Sequence, residues 1–171
     1  MERWWILVGM MGAGKSAIGR ALAELTGREF VDTDQLIQHR LGRSVAQIFQ
    51  IYGETTFRDH ETSILRGLEP GLCIVSTGGG IVGREENWTE LQRLGTVCYL
   101  RATHATLAAR LAISRKKRPL LEVEDWEDRL RLLIEKRAPL YERAHFSVEV
   151  DGDGLEDGIL RVLQAFQERE R

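Results

Sequence analysis

The segment Gly9-Met10-Met11-Gly12-Ala13-Gly14-Lys15-Ser16 follows the spacing G-x-x-x-x-G-K-[ST] without a gap. Glycines let consecutive backbone N–H groups turn inward onto phosphate oxygens. A helix opening at Lys15 points its positive end at the same anion. Lys15 is placed to neutralise terminal phosphate charge, and the Ser16 hydroxyl is a hard oxygen ligand suited to Mg²⁺. A chance glycine-rich turn is the competing explanation. The apolar run Trp4–Val8 before the segment and the helical pattern after it supply the context that phosphate binding requires.

Three further groups carry chemistry. Asp32 and Asp34 flank Thr33 after a short strand-like run; two apart in an extended segment, both carboxylates face one cleft. One suits a metal-bound water, the other a substrate hydroxyl and its proton. Against this, Asp34 precedes Gln35-Leu36-Ile37 and would serve as a helix N-cap. Arg58 lies between Glu54 and Glu61 on one helical face, which would orient a guanidinium for a carboxylate or form a surface ion-pair ladder. Gly78-Gly79-Gly80 follows a buried strand and allows a ligand to lie on backbone.

These residues need a scaffold. Strands are expected at Trp4–Val8, Glu29–Asp32, Leu72–Ser76, Thr96–Leu100 and His145–Val150. Helices are expected at Lys15–Leu25, Gln35–Leu41, a short one opened by the Ser44/Gln47 capping box and ending near Gly53, then Glu54–Leu68, Asn87–Leu94 and Thr103–Ser114. Two more follow: Glu124–Arg143, interrupted or bent at Pro139, and Gly154–Arg171, with Gln167–Arg171 frayed. Strands alternating with helices imply a parallel sheet covered on both faces, with ligands at the strands' carboxyl ends.

The 171 residues fit one domain, and 24 basic against 26 acidic side chains give a net charge of -2, which removes a global nucleic-acid footprint. Two cysteines make no disulfide framework and no apolar run reaches membrane-spanning length. Trp4–Val8 is too short for a signal peptide, so a cytoplasmic setting without membrane partners is expected. His39, His60, His104 and His145 show no metal-ligand spacing; Trp4, Trp5, Cys73 and Cys98 read as core. Arg115-Lys116-Lys117-Arg118 reads as a solvated basic run apart from Arg118, which precedes Pro119-Leu120-Leu121.

Together, Gly-Met-Met-Gly-Ala-Gly-Lys-Ser at 9–16, Asp-Thr-Asp at 32–34, Gly-Glu-x-x-Phe-Arg at 53–58, Ser-Thr-Gly-Gly-Gly at 76–80, Arg-Pro-Leu-Leu at 118–121 and Arg-Ala-Pro-Leu-Tyr at 137–141 resemble the shikimate kinases. The resemblance implies one P-loop kinase domain over 1–171. It is a three-layer α/β/α fold with a five-stranded parallel sheet in order 2-3-1-4-5, a mobile lid at about 112–124 and an acceptor-binding helical segment at about 33–61. It implies Mg²⁺-dependent transfer of the ATP γ-phosphoryl group to the 3-hydroxyl of shikimate by a monomer. Lys15, Asp34 and Arg118 would be catalytic. Gly12, Ala13, Gly14, Lys15, Ser16, Ala17, Arg110 and Arg118 would bind ATP, with Arg110 against adenine. Asp34, Arg58, Gly78, Gly79, Gly80 and Arg137 would bind shikimate, and Ser16 with Asp32 would hold the metal. Two departures stand out: Ala17 replaces the family's usual threonine, and the adenine-side segment is unrecognisable in residues 150–154. A gluconate kinase or a catalytically idle, ligand-binding module are the rival readings.

Overall fold

Five parallel strands form one sheet in the order β2-β3-β1-β4-β5. They are β1 (Trp4–Val8), β2 (Glu29–Asp32), β3 (Cys73–Ser76), β4 (Gly95–Arg101) and β5 (Phe146–Glu149). A computed structural model describes residues 3–152 and 154–170; Met1, Glu2, Asp153 and Arg171 lie outside the described residues. Seven helices occur among them: α1 (Lys15–Thr26), α2 (Thr33–Leu41), α3 (Val45–Arg66), α4 (Glu85–Leu94), α5 (His104–Ile113), α6 (Trp126–Tyr141) and α7 (Leu155–Glu170). All five residues of β1 are buried although successive side chains point to opposite faces, so helices cover both sides of the sheet. Leu7 meets α1 at Gly19, and Trp5 stacks on Phe166 of α7 at 4.5 Å, which places α1 and α7 on the same face. Among the described residues no helix is long and apolar enough to cross a membrane.

Most expected elements appear, with instructive shifts. The two helices expected to meet at Gly53 run on as α3, and Gly53 (φ 82, ψ 169) breaks the helical geometry inside it. Left-handed backbone of this kind is open to glycine and strained for other residues. The capping box of Ser44 and Gln47 is present. Pro139 does not interrupt α6, which continues to Tyr141. The chain's closing helix is tied down rather than frayed. Glu170 accepts from the Trp5 indole (2.7 Å) and from Arg28 (2.7 Å), and Arg28 lies over the Trp5 ring. Cys73, Cys98, Trp4 and Trp5 are core residues, and the His145 ring accepts a bond from the Val97 amide.

Two apolar clusters share the interior. The larger lies on the sheet; the smaller, built from Ile37, Ile48, Phe57 and Ile64, lies between α2 and α3. At the start of β4, Gly95 pairs with Trp4. A methyl group there would overlap the Trp4 carbonyl, a backbone atom that cannot rotate away. Gly95→Ala is therefore expected to lower the unfolding free energy by about 1–3 kcal/mol, read from urea melts. Unchanged melts would show that β1 and β4 separate at this end.

Candidate active site

The strands β1, β2 and β3 deliver the site at their carboxyl ends. After Val8 the chain turns through Gly12 (φ 86) and Gly14 (φ 94), and α1 opens at Lys15 with its first amides unpaired by any side chain. Lys15 is only 8% exposed and folds back onto the loop, donating to the Gly9 carbonyl (2.8 Å) and the Met10 carbonyl (2.9 Å). Burial, seconded by the Arg118 charge, brings its pKa down to about 7 despite Asp34 and Asp32. Ser16 Oγ donates to Asp32 Oδ2 at 2.8 Å and lies 3.1 Å from Ser76 Oγ.

Asp32 and Asp34 are not side by side on one extended strand. Asp32 ends β2 and is itself the N-cap of α2, its Oδ1 accepting from the amides of Asp34 (3.0 Å) and Gln35 (3.2 Å). Helix geometry begins at Thr33, so capping falls to Asp32 and frees Asp34, which removes the competing explanation of Asp34 as a helix cap. Asp34 Oδ1 is buried without a partner. Burial first, then the neighbouring Asp32 charge, raises its pKa.

Arg58 sits where its spacing placed it, donating to Glu61 (2.7 Å) and Glu54 (3.1 Å). Burial works against its charge, but the two carboxylates outweigh it and leave the guanidinium more basic than usual. The ladder is not a surface one: Glu61 is 0% exposed and its Oε1 has no partner. Burial drives the Glu61 pKa up to about 7 against the pull of Arg58. Arg137, on α6, is 8% exposed and forms no ion pair among the described residues. A buried guanidinium without a carboxylate is an anion site in waiting.

The glycines supply clearance. A Cβ on Gly78 would stand 2.6 Å from Glu61 Oε1 and 2.7 Å from Asp34 Oδ1, and one on Gly80 would overlap the Arg58 guanidinium. Thr33 holds this loop by accepting from the Gly78 amide (3.2 Å). Arg118 arrives from the segment between α5 and α6 with its Nε buried and unpartnered, and burial lowers its pKa. Arg110 braces the glycine loop, donating to the carbonyls of Gly12 (3.4 Å), Ala13 (3.3 Å) and Val150 (2.7 Å). In the 150–154 segment, Asp151 accepts from the Thr103 amide at the start of α5 (2.9 Å), and Asp153 lies outside the described residues.

Two cavities result. One is lined by Arg58, Glu61, Gly80 and Arg137; the other is lined by Gly12, Gly14, Lys15, Ser16, Ala17 and Asp32. Both reach Asp34, Gly78, Gly79, Lys116 and Arg118, so these residues mark where the cavities meet. Sequence reasoning left Lys116 in a solvated run; in the structure it lines both cavities beside Arg118. It also missed the burial of Glu61, which the unusual Glu-x-x-x-Arg-x-x-Glu spacing beside glycines could have signalled.

The model of the shikimate kinase family matches residues 11–167. A shikimate kinase from Symbiobacterium thermophilum is 42% identical over 167 residues, 96% of this chain and 96% of its own length. The solved shikimate kinase from Acinetobacter baumannii in complex with shikimate superposes with a TM-score of 0.93 at 37% identity, covering 99% of this chain and 96% of that one. The chain belongs to the shikimate kinase family. Its sheet order and parallel strands are those expected of that fold. A gluconokinase from Sinorhizobium meliloti, with a TM-score of 0.52 at 16% identity over 99% of this chain and 98% of that one, shares the fold alone.

The Glu61 environment has a measurable signature. A carboxyl whose folded pKa is raised binds more protons folded than unfolded, so its stabilising contribution is complete at low pH and is lost as pH rises. For Glu61 the window runs from 4.5 to about 7. The ligand-free protein is expected to lose stability across that window, and Glu61→Gln is expected to lose less of it. Parallel stability profiles for the two proteins would show that Glu61 titrates as an ordinary carboxylate.

Proposed function

We propose that the protein transfers the γ-phosphoryl group of ATP to the 3-hydroxyl of shikimate, giving shikimate 3-phosphate and ADP. The meeting of the two cavities at Asp34 and Arg118 is the observation that carries this reading. One cavity is a phosphate cradle; the other has two guanidinium groups, Arg58 and Arg137, suited to the carboxylate of a small hydroxylated ring. An unpartnered carboxylate oxygen at the junction is what an acceptor hydroxyl needs.

In this reading, Lys15 and Arg118 carry charge for the transferring phosphate and Asp34 takes or orients the hydroxyl proton. Lys15 exchanges its carbonyl partners for phosphate oxygens. The backbone of Gly79 and Gly80 lies under the ring, with Gly78 shaping the approach. Arg110 spends its N–H groups on carbonyls and keeps a flat guanidinium face for adenine. Ala17 contributes its amide only, which weakens ATP binding by about 1 kcal/mol at most relative to a hydroxyl-bearing residue.

The donor set at Ser16 and Asp32 fits Mg²⁺, a hard cation preferring oxygen. Asp32 Oδ2, which accepts the Ser16 hydroxyl, would support it while Oδ1 stays on α2. Ser16 and Asp32 are the residues that would hold such an ion. Bound there, Mg²⁺ would neutralise phosphate charge during transfer. Residues 112–124 act as the lid that closes over both cavities and excludes water, and residues 33–61 as the acceptor-binding unit. We read the protein as a cytoplasmic monomer acting on small molecules without nucleic-acid or membrane partners.

ADP release from Mg²⁺-ATP tests this, with shikimate, gluconate, a nucleoside monophosphate or no acceptor. Release is expected with shikimate alone; release with gluconate would discard the acceptor assignment, and nucleotide binding without release would favour an idle module. Asp34→Asn is expected to lower kcat on the order of 10²-fold or more, and near-normal kcat would remove Asp34 from proton transfer. Arg58→Ala is expected chiefly to raise the acceptor KM. An unchanged KM would make Arg58 part of the scaffold.

A further inference from the structure

Gly79 and Gly80 carry no Cβ, so the peptide joining them meets little steric resistance to rotation. In a trans peptide the carbonyl of residue 79 and the N–H of residue 80 point in opposite directions, and no cis peptide occurs among the described residues. Whatever holds that carbonyl therefore decides where the amide of Gly80 points. The Gly79 carbonyl accepts from the Tyr141 hydroxyl at 2.5 Å. The Gly80 amide has no protein acceptor among the described residues, and Gly80 lines the cavity that holds Arg58 and Arg137.

Tyr141 is well placed to act as a fixed donor. It is 1% exposed, lies one turn beyond Arg137 on α6, and stacks on Tyr99 of β4 at 5.0 Å. Its hydroxyl also lies 3.7 Å from Met10 Sδ in the glycine-rich loop. Burial pushes the phenol up to about 12, so the proton stays on the oxygen at any working pH and a role as base is excluded. A phenylalanine would fill the same space and keep the stack but would leave the peptide free.

We propose that Tyr141 is a positioning residue for the acceptor: its hydroxyl locks the Gly79–Gly80 peptide with the carbonyl toward the core and the Gly80 N–H toward the acceptor cavity. The inference rests on the reading of that cavity as the shikimate site. One residue thus ties the acceptor's backbone donor to the helix that carries Arg137 and to the loop that cradles phosphate.

The test is Tyr141→Phe in steady-state kinetics, beside Tyr99→Phe as a packing control. A donor used in both ground and transition states, worth one hydrogen bond, predicts an acceptor KM raised about five- to tenfold with kcat and the ATP KM nearly unchanged. An acceptor KM within about twofold of wild type overturns the proposal, as does a parallel rise in the ATP KM or an equal effect of Tyr99→Phe. If the wild-type protein shows no turnover with shikimate, the reading of the cavity fails separately. The crystal structure of Tyr141→Phe then decides the lock alone: a rotated or mixed 79–80 peptide supports it, and an unmoved peptide overturns it.

Discussion

Asp32 has two carboxylate oxygens, and each is committed to a different half of the site. Oδ1 receives the first amides of α2, and Oδ2 receives the Ser16 hydroxyl at the start of α1. Ser76 of β3 stands between them, paired with Asp32 on one side and with Leu7 on the other. The spacing of three adjacent strands is thereby converted into a spacing between the phosphate cradle and the helix that carries Asp34. A carboxylate satisfied at both ends cannot drift, and the groups it separates are held by the sheet rather than by loops.

That rigidity is needed because the site gathers charge away from water. Burial pushes Lys15 and Arg118 down and Asp34 and Glu61 up, all toward their neutral forms. Unpaired buried charge is costly, and here the partners are incomplete: Asp34 Oδ1, Glu61 Oε1 and Arg118 Nε are all unsatisfied. Such a site is complementary to ligands that bring the missing charge, an anionic phosphate chain on one side and a carboxylate with hydroxyls on the other. Preorganised donors and acceptors of this kind act at full strength because they need not reorient when charge moves.

What could be read from the sequence is what depends on neighbours along the chain. The glycine loop, the capping box and the Glu54–Arg58–Glu61 ladder are local patterns, and all three stand in the structure. The exchange of roles between Asp32 and Asp34 hung on a helix starting two residues earlier than its apolar pattern announces. Arg110 on the carbonyls of Gly12 and Val150, and Glu170 on Trp5, join residues far apart in the chain. No periodicity encodes such contacts; they exist only once the sheet order has brought the elements together. The standing of Lys116 likewise depends on where the segment between α5 and α6 lies, which its run of like charges conceals.

The smaller apolar cluster has a consequence of its own. Ile37, Ile48, Phe57 and Ile64 knit α2 to α3 apart from the sheet's core, with Leu68 touching both clusters. Asp34, Arg58 and Glu61, which line the cavity proposed for the acceptor, ride on this separately packed unit, whereas Lys15 and Ser16 ride on α1 against the sheet. Substitutions within this knot reshape the cavity at Arg58 and Glu61, which do not line the phosphate cavity. The enzyme is built as a fixed power supply with an exchangeable fitting, a division along which a lineage can drift to new hydroxyl acceptors without rebuilding its chemistry.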